Sequence, residues 1–160
     1  MIRIISHNDI KSKLLQEIVK VKQLSWNYTL EEHLLWIQDN LKGDDCHFLY
    51  YDNDEFVAYM NLVNVVIRSE DILIPVFGIG NVCAKYKGKG YGKRLLEEVN
   101  KFIRTRNEKG MLFCKSYLVD FYQRNNWRLI KSLHPNPEVC TMVFNFNIDG
   151  RKLKYQDRLF

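Results

Sequence analysis

The sequence predicts an α/β (α+β) protein, a mixed and mostly antiparallel sheet flanked by amphipathic helices, and three observations carry that prediction. Apolar residues recur at helical spacing in Ile10, Leu14, Ile18 and Val21, in Leu30, Leu34, Ile37 and Leu41, and most cleanly in Leu95, Leu96, Val99, Phe102 and Ile103. Over residues 47–84 the pattern shifts to strand-like runs separated by turn residues. Residues 82–96 then join such a run to the last of these helices through Gly88, Gly90 and Gly92, at alternating positions. That stretch reads as a strand, a phosphate-cradling loop and a helix. Without Cβ atoms several backbone N–H groups can turn toward one anion, and the helix N-terminus adds its own unpaired amides.

Taken in order, residues 1–5 are short and β-branched, a first strand, and Asn8 or Asp9 is the expected cap of a helix ending near Leu24. The polar and aromatic connection 25–28 leads into Thr29, Leu30, Glu31 and Glu32, which have the spacing of a capping box. Glu32 therefore reads as a cap before it reads as a catalytic carboxylate, and Glu31 and His33 read as solvated. The second helix runs to about Leu41. Residues 47–51, the turn 52–54 and residues 56–67 make a hairpin. A turn at 68–71 leads into 72–76 and then 77–84, with Pro75 marking an edge, a bulge or a break. Beyond the third helix, 111–114 is a short buried strand, and Leu118, Phe121, Tyr122 and Asn125 indicate another helix. Residues 127–130 and 139–146 are two last strands joined by the loop 133–137, and the charged tail 149–160 receives no assignment. No repeat or linker interrupts the chain, so one domain over residues 1–160 is expected.

With 160 residues, 46% hydrophobic and 27% charged, the chain can bury one sizeable core and is too apolar to be disordered. A net charge of +5 points to an anionic partner. Lys85, Lys87, Lys89, Lys93 and Arg94 concentrate positive charge at the glycine loop, not along a stripe interleaved with aromatics, which argues against nucleic acid. Cys46, Cys83, Cys114 and Cys140 are widely spaced, without a C-x-x-C pair or a histidine at ligand spacing, so no metal is expected. Those in apolar runs read as small buried thiols. The start lacks a signal-peptide pattern, and no apolar run approaches the ~20 residues of a membrane span. A cytoplasmic protein without a membrane partner is the expectation.

Spacing separates three kinds of glycine loop. A Walker loop needs glycine where Lys87 stands and Ser or Thr where Arg94 stands. A dinucleotide fingerprint needs G-x-G-x-x-G and an acidic residue at the end of the next strand, where residues 110–114 carry none. The pattern that remains is [Gln/Arg]-x-x-Gly-x-[Gly/Ala], filled by Lys87, Gly88, Lys89, Gly90, Tyr91 and Gly92 with lysine in the first place. On these residues the chain resembles the GCN5-related N-acetyltransferases, the GNAT family, and residues 82–86 are similar to that family's fourth strand entering its pyrophosphate loop. Residues 114–127 are similar to a later element in which a Phe-Tyr pair, here Phe121 and Tyr122, precedes a glycine and an aromatic residue. Asn126 takes the glycine's place before Trp127. The order of elements over 1–146 also fits. The resemblance implies the GNAT fold, with about seven strands and about four helices.

It also implies an N-acetyltransferase that takes acetyl-CoA as acetyl donor and a primary amine of a small molecule or a protein as acceptor, by direct attack in a ternary complex. Amides around Gly80 and Asn81 would face the acetyl carbonyl, and Val82, Cys83 and Ala84 would pair with the pantetheine arm. Lys87, Gly88, Lys89, Gly90, Tyr91, Gly92 and Lys93 would hold the diphosphate. Tyr122 matches the family's general acid, since a phenol of pKa ~10 is protonated at pH 7 and comparable in acidity to a thiol. On the residues alone Tyr122 also reads as a core aromatic. The base is unassigned. Many members carry a glutamate on the fourth strand, but residues 77–82 hold no carboxylate. His134, Glu138, Asp71 and the Phe160 carboxyl group each read as surface groups first. The acceptor pocket would draw on residues 25–28, 68–72 and 133–138, with Trp26, Tyr28 and His134 as cradle candidates. A non-catalytic acetyl-CoA sensor is the alternative, and a homodimer is left open. A loose similarity to aminoglycoside 2'-N-acetyltransferases is a weaker alternative, because no acidic cluster suits a polycation.

Overall fold

The computed structural model describes residues 1–146, 152–158 and 160. The elements are β1 (Ile2–Ser6), a 3-10 turn (His7–Asp9), α1 (Ser12–Gln23), α2 (Leu30–Asn40), β2 (Cys46–Asp52), β3 (Glu55–Ser69), β4 (Ile72–Ala84) and α3 (Tyr91–Thr105). There follow β5 (Gly110–Lys115), a second 3-10 turn (Ser116–Leu118), α4 (Val119–Gln123), β6 (Arg128–Ile130), β7 (Val139–Phe144) and β8 (Leu153–Tyr155). The strand order is β1-β2-β3-β4-β5-β7-β6, with β8 paired to β3. β4 and β5 run parallel. The β1–β2, β2–β3, β3–β8, β5–β7 and β6–β7 pairs are antiparallel. This is the mixed, mostly antiparallel sheet that the sequence predicts, with an eighth strand contributed by the tail. No helix among the described residues is long and apolar enough to cross a membrane. Chain contacts divide the molecule into two compact units, Met1–Val63 with Gly80–Val99 and Phe160, and Asn64–Ile79 with Asn100–Leu159.

In the first unit α2 starts where the capping box places it. The Thr29 N–H donates to Glu32 Oε2 at 2.7 Å and the Glu32 N–H donates to Thr29 Oγ1 at 3.2 Å. Helix α1 starts differently from expectation. Asn8 and Asp9 lie in the 3-10 turn and Lys11 precedes the helix without a side-chain cap. The reason is a competing partner, because the Asn8 N–H donates to the Gly43 carbonyl at 3.0 Å and its side chain fills the place of a Gly43 Cβ. His33 also departs from the sequence reading, being buried, not solvated. The β2–β3 hairpin turns on Asn53 and Asp54, both left-handed with φ of 46° and 63°, as a two-residue turn of this twist requires. Ile18, Val21, Leu49, Tyr59 and Cys83 form a core cluster, and each large side chain of this kind contributes about 2 kcal/mol on burial.

In the second unit β4 passes through Pro75 as one strand, with the proline exposed. Its parallel ladder with β5 pairs Phe77, Gly78 and Ile79 with Gly110, Met111 and Leu112. A Cβ on Gly110 would lie 2.8 Å from Trp127 Cη2, so the indole occupies the space glycine leaves. Trp127 Nε1 donates to Asn100 Oδ1 at 2.9 Å, and Asn100 Nδ2 donates to the Asn125 carbonyl at 2.9 Å, tying α3 to the end of α4. The tail finds its place on β3, whose partners on β2 end at Leu62. Beyond that point β8 pairs with Ile67, Arg68 and Ser69 and covers an otherwise open strand edge. The Val66 N–H donates to Asp157 Oδ2 at 2.9 Å, extending this cover by a side chain. Of the unassigned tail, residues 149–151 and 159 lie outside the described residues.

Candidate active site

The glycine loop belongs to the first unit. Residues 85–90 are exposed and join β4 to α3. Gly88 and Gly90 both have φ of 75°, and a Cβ on either would meet nothing within 4 Å. Glycine is therefore needed there for backbone conformation, not for room. The Arg94 N–H donates to the Gly90 carbonyl at 3.0 Å and closes the first helical turn. The β2–β3 hairpin braces both sides of the loop. Lys85 Nζ donates to Glu55 Oε1, as does Tyr86 Oη at 2.8 Å, and Tyr91 Oη donates to Asp52 Oδ2 at 2.8 Å. The Lys85 hydrogen bond, followed by that of Tyr86, holds the Glu55 carboxyl below its ordinary range. Lys93 lies 3.7 Å from Glu97. Lys87 and Lys89 are exposed and form no ion pair among the described residues, so their charge is available to an anion.

Upstream of the loop, the β4–β5 ladder ends at Ile79 and Leu112. Asn81 is left-handed, with φ of 55°, within the strand. The unusual backbone thus falls on Asn81, and Gly80 makes room. A Cβ on Gly80 would clash with the backbone carbonyl carbon of Phe160, 3.0 Å from that residue's oxygen and 3.1 Å from Asn61 Nδ2. Asn81 Nδ2 donates to Asn61 Oδ1 at 2.6 Å. Asn61 is fully buried, and its Nδ2 has no partner among the described residues. Sequence reasoning passed over Asn61. The available signal was a carboxamide on the inward-facing side of the apolar run of β3, directly opposite His47 on β2, whereas Asn64 in the same run is exposed.

Cys83 faces the core while Val82 and Ala84 are half-buried, as alternation along β4 requires. Burial pushes the Cys83 thiol up to about 12, so it is an inert buried thiol as expected. Burial pushes the Lys22 ammonium down to about 8, where it stands 4.6 Å over the Trp36 ring. His47 contacts His7 at 2.9 Å and Tyr59 Oη at 2.8 Å through its two ring nitrogens. Burial, then His7 and Lys22, push the His47 imidazole down to about 4, which keeps it neutral at pH 7.

Tyr122 belongs to the second unit and is 6% exposed on α4, edge-on to Phe121 and Trp127. Its carbonyl accepts from the N–H groups of Asn125 at 3.0 Å and Trp127 at 3.1 Å. Burial pushes the phenol well above its ordinary range, so Tyr122 is protonated at pH 7 but a weaker acid than an exposed phenol. Asn126, in the place of the family's glycine, has φ of 67°, the conformation that favours glycine and tolerates asparagine. His134 is engaged locally. Its Nδ1 accepts from the Asn136 N–H at 3.0 Å and its ring stands edge-on to Phe113. Asp71 and Glu138 are exposed.

A family model described as an acetyltransferase (GNAT) domain matches residues 7–130, and the chain belongs to that family of acyltransferases. Among solved structures, Escherichia coli ElaA is 20% identical over 90% of this chain and 98% of its own, with a TM-score of 0.66. An acyl-CoA N-acyltransferase from Pseudomonas aeruginosa is 15% identical over 90% of this chain and 99% of its own, with a TM-score of 0.68. The Bacillus subtilis N-acetyltransferase YlbP, solved in complex with coenzyme A, is 19% identical over 93% of this chain and 99% of its own, with a TM-score of 0.60. Comparison with curated proteins returns no match.

Proposed function

We propose that residues 1–160 act as one cytoplasmic acetyltransferase domain, moving an acetyl group from acetyl-CoA to a primary amine by direct attack. The observation that carries the reading is the loop itself. Two left-handed glycines leave its backbone open, Lys87 and Lys89 carry available charge, and the loop leads into the N-terminus of α3. The reading gives Lys87, Gly88, Lys89, Gly90, Tyr91, Gly92 and Lys93 to the diphosphate. Val82, Cys83 and Ala84, past the end of the β5 ladder, would offer strand hydrogen bonds to the pantetheine amides. Backbone N–H groups at Gly80 and Asn81 would face the thioester oxygen. In the second unit Tyr122 would return a proton to the departing thiolate, and its raised pKa calls for a thiolate held in similarly dry surroundings.

One observation favours a second reading. The segment 77–84 has no carboxylate, which suits a domain that binds acetyl-CoA and senses it without turnover. Calorimetry with acetyl-CoA followed by thiol release across a library of amines separates the two. Micromolar binding with acceptor-dependent thiol release supports the enzyme, binding without release supports the sensor, and no binding up to about 1 mM removes both.

A further inference from the structure

We propose that Asn61 is a catalytic residue of this site, a side-chain oxyanion donor that hydrogen-bonds the thioester oxygen of acetyl-CoA. The inference deepens the acetyltransferase reading and rests on it. Asn61 sits in the middle of β3, fully buried. A carboxamide there loses its water and must recover hydrogen bonds from protein or ligand, and a buried donor without one costs about 1–3 kcal/mol. Its Oδ1 is satisfied by Asn81 Nδ2 at 2.6 Å, which also orients the group so that Nδ2 faces Gly80. Nδ2 is the unpartnered end, 3.1 Å from the point where a Gly80 side chain would begin. In this structure the carbon and oxygen of Phe160 fill that space against Gly80, a planar group whose place a thioester carbonyl would take. Asn81, left-handed in mid-strand, thus has a second task besides its own amide: its side chain aims that of Asn61.

The chemistry gives such a donor a defined moment of action. The amine lone pair forms a C–N bond to the thioester carbon while the C=O π pair moves onto oxygen. Collapse restores C=O and breaks C–S; the sulfur leaves with its electron pair and gains a proton, and the nitrogen gives one up. Charge builds on the oxygen only between these events, so a fixed N–H aimed there strengthens in the transition state more than in the ground state.

The test compares the full chain with Asn61→Ala and with Asn61→Leu, the latter close in volume should the alanine variant fail to fold. With the amine that gives the fastest thiol release, the variants should lose about 10²-fold in kcat with KM for acetyl-CoA little changed. Isotope-edited infrared spectra of bound acetyl-CoA carrying a 13C carbonyl give a readout that a packing role would not move. The parent carbonyl band should lie below its solution frequency and return toward it in the variants. Deletion of Phe160 should leave the effect of Asn61→Ala intact. Unchanged kcat and band position overturn the assignment, as does an effect that vanishes without Phe160, since the amide would then serve that residue's carbonyl. If the parent does not bind acetyl-CoA, the acetyltransferase reading itself is what fails.

Discussion

Gly90→Ala isolates the backbone geometry of the loop from everything else in it. Because φ is 75° and nothing lies within 4 Å of the new Cβ, the substitution meets no steric neighbour and is opposed only by the left-handed conformation. That opposition is worth about 1–2 kcal/mol, partly offset in stability by the smaller freedom of alanine in the unfolded chain. The folded protein should lose about 1 kcal/mol, or about 3 °C in Tm. Coenzyme A binding should suffer more, because the strain is relieved by rotating φ, and rotation turns an amide away from the diphosphate. One charge-assisted hydrogen bond is worth about 1.5–3 kcal/mol, so Kd measured by calorimetry should rise about 10- to 100-fold. D-alanine placed at the same position by chemical ligation prefers positive φ and should bind coenzyme A like the parent. An L-alanine variant with unchanged Kd, or a D-alanine variant as impaired as the L form, would refute the cradle.

Tyr122→Phe should lower turnover by about 10²-fold or more while acetyl-CoA affinity stays nearly constant in calorimetry; parental turnover would remove Tyr122 as the acid. Asn126→Ala should destabilise the chain by about 1 kcal/mol in urea unfolding, and Asn126→Gly should be close to neutral, because φ is 67° there. Lys22 gives a pH signature. Its amine titrates at about 8 when folded against 10.5 when free, so between these values the unfolded chain holds a proton that the folded one has released, and this group's contribution to stability rises with pH. For Lys22 alone the interval corresponds to about 3 kcal/mol; the Cys83 thiol, 9.0 when free and pushed up to about 12 by burial, acts in the opposite sense above pH 9, so the amine is isolated by comparing parent and Lys22 variant at each pH. Lys22→Met should raise Tm at pH 7 and lose most of that advantage by pH 10.5, and a difference that stays constant over this range would contradict the assignment.

Much of this architecture is legible in the residues because local rules and tertiary context agree there. The stripe from Leu95 to Ile103 becomes α3, the Thr29–Glu32 spacing closes its box, and Lys87 to Gly90 form an open loop with glycine where φ is positive, while Gly92 falls in the first turn of α3. Where the reading fails, a distant partner decides. Asn8 looks like a cap but binds the loop at Gly43. His33 looks solvated because its neighbours in sequence are polar, yet the packing of its helix buries it. β8 is three residues in a charged tail, with Leu153 buried and Lys154 outward, too short for periodicity to reveal. Asn61 was invisible for the opposite reason: the apolar run of β3 holds two asparagines, Asn61 and Asn64, and only burial without a partner shows that the amide of Asn61 needs one.

The cover that β8 gives to β3 has a consequence for how the chain is made. Ile67 leaves the ribosome long before Tyr155, its partner across more than half of the sequence. Until β8 emerges, the far end of β3 presents unpaired N–H and C=O groups beside the exposed Val66 and Ile72. The nascent protein therefore passes through a period in which this edge is open to strands of other chains. Slow translation of this segment lengthens that exposure, and β8 ends it, bringing the exposed Lys154 to the newly formed edge and the Lys152–Glu70 ion pair beside it.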